Sequence, residues 1–192
     1  MENWYALRTV PGKEEAAAEL LRQTVDPALW DVCSVLKKQK LFRADGKLIL
    51  DTELMFPGFI FVKTDQMGEL AEVLERSREY PQPVGGKECP VRIEEEDLHF
   101  LQQVCGKRLD VPMGLSEVEA DDEGNLIRVG GILKPYSGQI VRKRLRKRYV
   151  LAEVGLFGRQ ETILFGIRLP GDQIWQNDRK RTKFNNKEEQ KR

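Results

Sequence analysis

The sequence predicts an α+β protein of two domains, an α/β layer domain followed by a small β-barrel. Helical and strand-like segments alternate up to about residue 107, a pattern typical of helices packed on a sheet. Beyond residue 119, short β-like segments are interrupted by glycines, which is typical of a small barrel. With 192 residues, the chain is long enough for both domains to bury a core.

The first half of the layer domain follows from local patterns. The β-rich stretch Trp4–Val10 ends at Pro11-Gly12, and KEEAAAELLRQ then combines strong helix formers with acidic residues in its first turn. Asp45-Gly46 separates the apolar stretches 36–41 and 48–50, so a β-hairpin is predicted there.

The second half of this domain continues the alternation. The predicted segments are a strand over Phe56–Val62, a helix over Glu69–Arg76, a short strand at PVRI and a helix in EEEDLHFLQQV. We therefore expect residues 1–107 to form the layer domain, 108–118 a linker that contains proline and glycine, and 119–170 the barrel. Residues 171–192 are polar and basic, and we expect a disordered tail.

Charge is distributed unevenly along the chain, although the formal net charge is only +1. The stretch up to Leu133 carries 16 Lys/Arg against 25 Asp/Glu, whereas the stretch from Lys134 carries 16 against 6. Such asymmetry indicates an acidic partner, most often nucleic acid, for the basic part.

Residue types with catalytic or metal-binding chemistry are sparse. Cys33, Cys89 and Cys105 stand alone, and His99 is the single histidine, so we expect reduced cysteines and no metal. The sequence contains no nucleotide-binding loop and no constellation of catalytic residues. It therefore predicts that the protein is not an enzyme and binds no cofactor. No stretch approaches the roughly 20 apolar residues that cross a membrane. We expect a cytoplasmic monomer.

The densest cationic segment is VRKRLRKRYV, residues 141–150. We favour a strand, a turn near Leu145 and a second strand, although Val141, Leu145 and Tyr149 are also spaced as on one face of a helix. In extended geometry the arginines at 142, 144, 146 and 148 share one face. The density of cations favours a nucleic-acid partner, RNA ahead of DNA, and a solvated hairpin tip is the alternative. The candidate RNA-binding residues are Lys134, Arg142, Lys143, Arg144, Arg146, Lys147 and Arg148.

Several strings in the expected order resemble the NusG family of transcription elongation factors. WYALRTVPGKE and FPGFIFV resemble its N-terminal (NGN) domain, and SGQIV and VGLFGRQET resemble its C-terminal SH3-like (KOW) barrel. The resemblance covers nearly the whole chain except the linker and the last twenty or so residues. The segment RKRLRKR, in contrast, is more similar to specialised paralogues, LoaP-type antiterminators above all and also RfaH.

The resemblance implies that the NGN domain binds RNA polymerase through an aromatic surface on the Phe56–Val62 strand. Phe59 and Phe61 point to one face of an extended strand, while Ile60 and Val62 point to the core. Packing in a second core layer is the alternative for these aromatic residues. The candidate polymerase-binding residues are Trp4, Phe56, Phe59 and Phe61.

Two further sites are implied by position in the family. Arg76, Ser77 and Arg78 match the NGN edge that faces the non-template DNA strand, although arginines at a helix C-terminus are also favoured by its dipole. Phe157 and Arg159 lie in the string that in general factors contacts a ribosomal protein or Rho.

The resulting hypothesis is an antiterminator that docks on RNA polymerase and binds structured leader RNA at selected operons. A general NusG factor and a translation protein with a basic KOW barrel are the alternatives. We expect the C-terminal part to be a stable barrel, whereas RfaH-like relatives hold it as a helical hairpin.

Overall fold

The computed structural model describes residues 2–176, which form two compact units. The first unit comprises residues 2–38, 54–113 and 154–161, and the second comprises 39–53, 114–153 and 162–176. Each unit is therefore assembled from three separate stretches of the chain. The domain boundaries given above remain predictions.

Helices and strands are mixed within the described residues. The helices are α1 (Glu14–Thr24), α2 (Met67–Glu75) and α3 (Glu95–Cys105). The strands are β1 (Trp4–Arg8), β2 (Val32–Ser34), β3 (Lys37–Ala44), β4 (Lys47–Leu54), β5 (Phe59–Lys63), β6 (Gln82–Pro83), β7 (Ser116–Ala120), β8 (Leu126–Val129), β9 (Ile140–Arg144), β10 (Tyr149–Leu156), β11 (Arg159–Arg168) and β12 (Ile174–Gln176). Three 3-10 stretches, Pro27–Leu29, Gly131–Gln139 and Leu145–Lys147, complete the regular elements.

The first unit is built on a four-stranded sheet with the order β2-β5-β1-β6. The residues Leu7 on β1 and Ile60 on β5 are Cα partners in an antiparallel pair and have no exposed surface. They belong to one hydrophobic core cluster with Leu21 of α1 and Leu70 of α2. The apolar residues that predicted α1 and α2 thus form their buried faces, as expected for amphipathic helices on a sheet.

Glu14 is a buried carboxylate that connects two turns of this unit. Its Oε1 accepts hydrogen bonds from the backbone N–H of Gly12 at 3.0 Å and of Gly58 at 2.6 Å. Burial alone would raise the pKa of Glu14, but these backbone donors and its own N–H outweigh it, so that the pKa lies below its ordinary value. The ionised carboxylate therefore fixes the Pro57-Gly58 turn, from which Phe56 and Phe59 project.

The predicted Asp45-Gly46 hairpin is present as β3 and β4. Both turn residues adopt positive φ, 50° and 74°, the geometry that two-residue hairpin turns require. Strand β12 then pairs in parallel with β4, Ile174 facing Leu48, and completes a three-stranded sheet β12-β4-β3. The expected disorder is thus wrong for Ile174–Gln176, and residues 177–192 lie outside the described residues.

The second unit contains most of a five-stranded sheet with the order β8-β7-β11-β10-β9. Strand β7 begins at Ser116, inside the segment predicted as a linker. Ile140–Arg144 and Tyr149–Leu156 are strands joined by a turn, so the helical alternative for residues 141–149 is wrong. The predicted α+β fold class, an N-terminal α/β part followed by a curled sheet, is confirmed. No helix within residues 2–176 has the length and apolar character needed to span a bilayer.

Candidate functional site

The cationic segment forms a hairpin tip, residues 141–148, which we call the basic turn. Strand β9 ends at Arg144, the 3-10 turn Leu145–Lys147 follows, and Tyr149 of β10 pairs with Arg144. Five side chains of the basic turn are exposed cations: Arg142, Lys143, Arg144, Arg146 and Lys147. In the part of the chain that the structure describes, none of these five forms an ion pair. Their charge is available to an anionic partner.

Arg148 does not share the exposed face that extended geometry predicted for it. Its backbone is left-handed, with φ 57°, and its side chain is only 11% exposed. The guanidinium donates from Nε and Nη2 to the two carboxylate oxygens of Asp172, at 2.7 and 2.6 Å, and from Nη1 to the Leu145 carbonyl. The alternation argument assumed an extended backbone throughout, whereas the turn points Arg148 inward. We therefore assign Arg148 the role of positioning the exposed cations of the basic turn.

Asp172, which the sequence did not indicate as a candidate, fixes the Arg148 guanidinium by accepting two of its hydrogen bonds. It also accepts a hydrogen bond from the Leu169 N–H at 2.8 Å, and its side chain is 7% exposed. Burial alone would raise the pKa of Asp172, but the hydrogen bonds from Arg148 and Leu169 outweigh it and hold the pKa below its ordinary value. The carboxylate is thus ionised and ties the basic turn to the segment after β11.

Asp172→Ala is expected to lower the free energy of unfolding at neutral pH by about 1–3 kcal/mol, because the Arg148 guanidinium would remain largely buried without its acceptor. Folding lowers the pKa of Asp172. The stabilisation is therefore complete above the carboxyl's pKa in the unfolded chain and is lost as the pH falls through its pKa in the folded state. Urea unfolding at a series of pH values measures both effects.

The matched control for this prediction is Glu119→Ala, which removes an exposed partner of Arg128. An exposed pair of this kind contributes at most about 1 kcal/mol. An equal loss in the two variants, or a loss in Asp172→Ala that does not change with pH, would contradict the positioning role of Arg148 and Asp172.

Two neighbours define the surroundings of the basic turn. Lys134 is exposed but lies in the 3-10 stretch Gly131–Gln139, and the structure does not place it in the turn. The acidic β7–β8 turn, residues 121–124, lies beside Leu145, since a methyl group added to Gly124 would come within 3.8 Å of the Leu145 side chain. An anionic partner is therefore expected to approach the basic turn from the side away from these carboxylates.

An apolar cavity of 490 Å³ lies in the first unit, and we call it the aromatic hollow. Phe56 and Phe61 pack at a centroid distance of 5.9 Å, and Phe56 also contacts Phe157 edge-on at 5.7 Å. Glu94 and Asp97, around the start of α3, add polar groups to its rim. The apolar side chains of the lining are those of Ala6, Phe56, Phe59, Phe61, Val84, Val91, Ile93 and Phe157.

The predicted polymerase-binding residues fall into two groups. Phe56 and Phe59 are half-buried and line the hollow, but Trp4 and Phe61 are 0 and 1% exposed. Trp4 therefore offers no exposed surface to a polymerase, contrary to its selection as a candidate binding residue, and Phe61 forms the floor of the hollow. Strand alternation did place Phe59 and Phe61 opposite Ile60. Alternation alone could not show that the face carrying Phe59 and Phe61 is also largely buried.

Phe157 and Arg159 lie at the turn between β10 and β11, within residues 154–161 of the first unit. Phe157 has a left-handed backbone, φ 55°, and remains 39% exposed although it contacts Phe56. Arg159 is exposed and forms an ion pair with Glu161. A predicted role in binding a ribosomal protein or Rho remains a prediction for both residues.

Arg76 and Arg78 are exposed at the end of α2, and the Ser77 hydroxyl accepts a hydrogen bond from the Glu79 N–H at 3.2 Å. Arg78 lines a groove of 700 Å³ together with Arg8 and Lys13. Sequence reasoning missed Arg8 and Lys13, although both flank the Pro11-Gly12 break that brings them together. The groove also contains the ring of Tyr80.

The described part of the chain contains all three cysteines, of which Cys89 is exposed. No group of three or more His, Cys, Asp or Glu residues within it is placed to hold a metal ion. Cys33 and Cys105 are buried, and burial raises the pKa of the first thiol to about 11 and of the second to about 12. Both thiols are therefore protonated at neutral pH.

Comparison with known proteins defines the class to which this arrangement belongs. A family model described as "Transcription termination factor nusG" matches residues 2–102, just over half of the chain. The match assigns the chain to the class of transcription termination factors. By the extent of this match, the chain belongs to the NusG family.

Two individual proteins are similar over most of the chain. The transcription termination/antitermination protein NusG of Thermus thermophilus is 23% identical over 171 residues, which cover 83% of this chain and 92% of that protein. A solved structure described as "Domain interaction in Thermotoga maritima NusG" is 15% identical, with a TM-score of 0.47, and covers 86% of this chain and 94% of that chain.

Proposed function

We propose that this NusG-family protein is a specialised antiterminator. It docks on RNA polymerase through the aromatic hollow and binds structured leader RNA through the basic turn, so that polymerase reads through terminators at selected operons. The observation that carries the proposal is the set of five exposed cations of the basic turn, which have no ion-pair partner within residues 2–176.

The geometry of the basic turn favours a nucleic acid over a solvated hairpin tip. The hydrogen-bonded pair of Arg148 and Asp172 restrains the basic turn. This restraint limits the conformational entropy that the turn loses when it binds a ligand. Exposed guanidinium groups on both sides of Leu145 can each make bidentate contacts to phosphate. RNA adds 2′-hydroxyls and unstacked loop bases, to which such groups can also donate.

The aromatic hollow supports docking on a protein partner. Phe56 and Phe59 offer half-buried aromatic surface around a cavity of 490 Å³, and Arg8, Glu94 and Asp97 provide a polar rim. An apolar centre with a charged rim is the usual anatomy of a protein interface. The basic turn and the hollow belong to different units, so variants of one surface can be tested without changing the other.

The groove beside Arg78 supports a contact with the displaced DNA strand. Arg8, Lys13 and Arg78 supply positive charge, and Tyr80 supplies an aromatic ring, the combination that single-stranded nucleic acid requires.

Replacing Arg76 and Arg78 together by alanine is expected to weaken the effect on pausing while leaving polymerase docking intact, because both side chains are exposed and lie outside the aromatic hollow. Pause half-lives on purified templates measure the effect. Lys107→Ala with Arg108→Ala, an equal change of charge at exposed positions outside the groove, is the control. Pause half-lives identical to those of the unaltered protein would exclude the DNA contact.

The proposed function is tested by crosslinking the full chain to nascent transcripts in cells and sequencing the bound RNA. We expect enrichment of a few leader regions, with read-through downstream that disappears when the protein is removed. A stem–loop from the most enriched leader should then bind more tightly than duplex DNA of the same sequence in a gel-shift titration. Equal affinity for both nucleic acids, or none for either, would reject RNA recognition.

A general elongation factor is the second candidate, and the exposed Phe157 and Arg159 favour it because this turn retains the family's FGR string. In that case, the crosslinking survey would show the protein on most transcripts without preference. Binding of Rho or a ribosomal protein would then depend on Phe157 and Arg159 and would survive alanine substitutions in the basic turn.

A further inference from the structure

An exposed tryptophan lies in the three-stranded sheet of the second unit. Trp175 on β12 is 52% exposed, although tryptophan is usually among the most buried residues on average. The ammonium group of Lys47, at the start of β4, lies 4.5 Å from the centre of the Trp175 ring. The parallel pairing of Trp175 with Ile49 fixes the backbone beneath the ring.

This sheet is connected to the basic turn through Asp172. Asp172 holds Arg148 with two hydrogen bonds, and Trp175 follows it by three residues, a span of at most about 10 Å. Arg43, exposed near the end of β3, is close enough to Asp172 to lower the pKa of that carboxyl. Lys47 and Trp175 therefore lie in the same unit as the basic turn, a short stretch of chain away from Asp172.

We propose that Trp175 and Lys47 form a second part of the RNA-binding surface, in which the indole ring stacks on an unpaired base and the Lys47 ammonium contacts a flanking phosphate. The inference rests on the proposed function, because it assigns the single-stranded part of the same RNA to a separate set of residues. The basic turn would bind the paired stem, and Trp175 would bind a loop or bulge base next to it.

The chemistry of the patch favours a nucleic-acid base over an apolar protein segment. An exposed aromatic ring beside an exposed cation is a combination that binds single-stranded nucleic acid, since the ring stacks and the cation neutralises the backbone. The flexible Lys47 side chain can move its ammonium group from the Trp175 ring to a phosphate. The face of the indole then becomes free for a base. An apolar partner would instead leave Lys47 desolvated at its edge.

The test uses the full chain and a stem–loop RNA with a purine-rich, single-stranded loop, alongside the same RNA with abasic sugars in the loop. Trp175→Ala should weaken binding of the intact RNA by about 5- to 150-fold, the range expected for one stacked base, without changing the salt dependence. Trp175→Phe, which keeps a stacking ring, should recover most of the affinity. Lys47→Ala should reduce the slope of log affinity against log salt by about 0.7 to 0.9.

Two controls separate this inference from the proposed function. Ile127→Ala removes an exposed apolar side chain, 66% accessible on β8 of the same unit, and should leave RNA binding unchanged. The abasic RNA should bind the unaltered protein and Trp175→Ala equally. If the unaltered protein binds the stem–loop and Trp175→Ala binds it equally well, the base-stacking inference is overturned alone. If the unaltered protein binds no RNA, the proposed function fails and the inference fails with it.

Discussion

Replacing Arg142, Arg144 and Arg146 together by alanine is expected to weaken RNA binding by about 100- to 500-fold at 0.1 M salt. Each phosphate contact that is lost removes about 0.7 to 0.9 from the slope of log affinity against log salt, so three contacts account for about 2 to 3. These three side chains are exposed, and Arg148 with Asp172 maintains the turn without them. Gel-shift titrations at several salt concentrations measure affinity and slope together.

The control for this prediction changes the same amount of charge elsewhere. Arg128, Arg168 and Lys87 lie outside the basic turn and the aromatic hollow, and each already has a carboxylate partner, so their replacement by alanine should alter the slope little. Read-through in a reconstituted transcription assay should be lost only in the basic-turn variant. Equal losses of affinity in the two triple variants would show that binding depends on net charge and has no site.

Phe59→Arg is expected to reduce affinity for RNA polymerase by at least about 30-fold, the effect of removing one aromatic anchor and placing a charge in an apolar interface. Phe59 is half-buried at the aromatic hollow, so an arginine there can reach solvent in the free protein while opposing an apolar partner. Co-purification with polymerase and titration of the purified proteins measure the loss. RNA binding through the basic turn should be unchanged.

Two further variants distinguish lost docking from lost folding. Val91→Arg alters an exposed position of the same hollow, 52% accessible, and should also reduce polymerase binding. Val111→Arg, at a 57% exposed position outside the hollow, should not. A large fall in the melting temperature of Phe59→Arg, together with normal docking of Val91→Arg, would show that the hollow is part of the core.

Local sequence signals predicted most elements of the fold, but they did not predict distant partners. The predicted strand at PVRI is wrong, because only Arg92 forms an isolated bridge there and strand β6 lies earlier, at Gln82–Pro83. Asp45-Gly46 specified the β3–β4 hairpin because a two-residue turn needs positive φ at both positions. The pairing of β12 with β4 has no such signal, since a three-residue strand has no period and its partner lies more than a hundred residues away. The sequence could indicate a polar tail but could not show where its first residues would pair.

The candidate site likewise combines features that follow from the local sequence with features that depend on distant partners. The exposed cations at 142–147 and the turn near Leu145 followed from charge density and from the strands on either side. The inward direction of Arg148 depends on a left-handed backbone and on Asp172, and neither follows from residue alternation. Burial of Trp4 likewise depends on what covers the second face of the sheet, which is a property of the packed unit.

The division of each unit among separate stretches of chain has a consequence for biosynthesis. The hairpin β3–β4 leaves the ribosome early, but β12, which pairs with β4, is made about 120 residues later. At a synthesis rate of about 5–20 residues per second, the edge of β4 at Leu48, Ile49 and Leu50 remains unpaired for roughly 6–24 s before that partner is made. An unpaired apolar edge invites pairing with other chains, so newly made protein should be most prone to aggregation during this interval. Premature termination before Ile174 would make the exposure permanent.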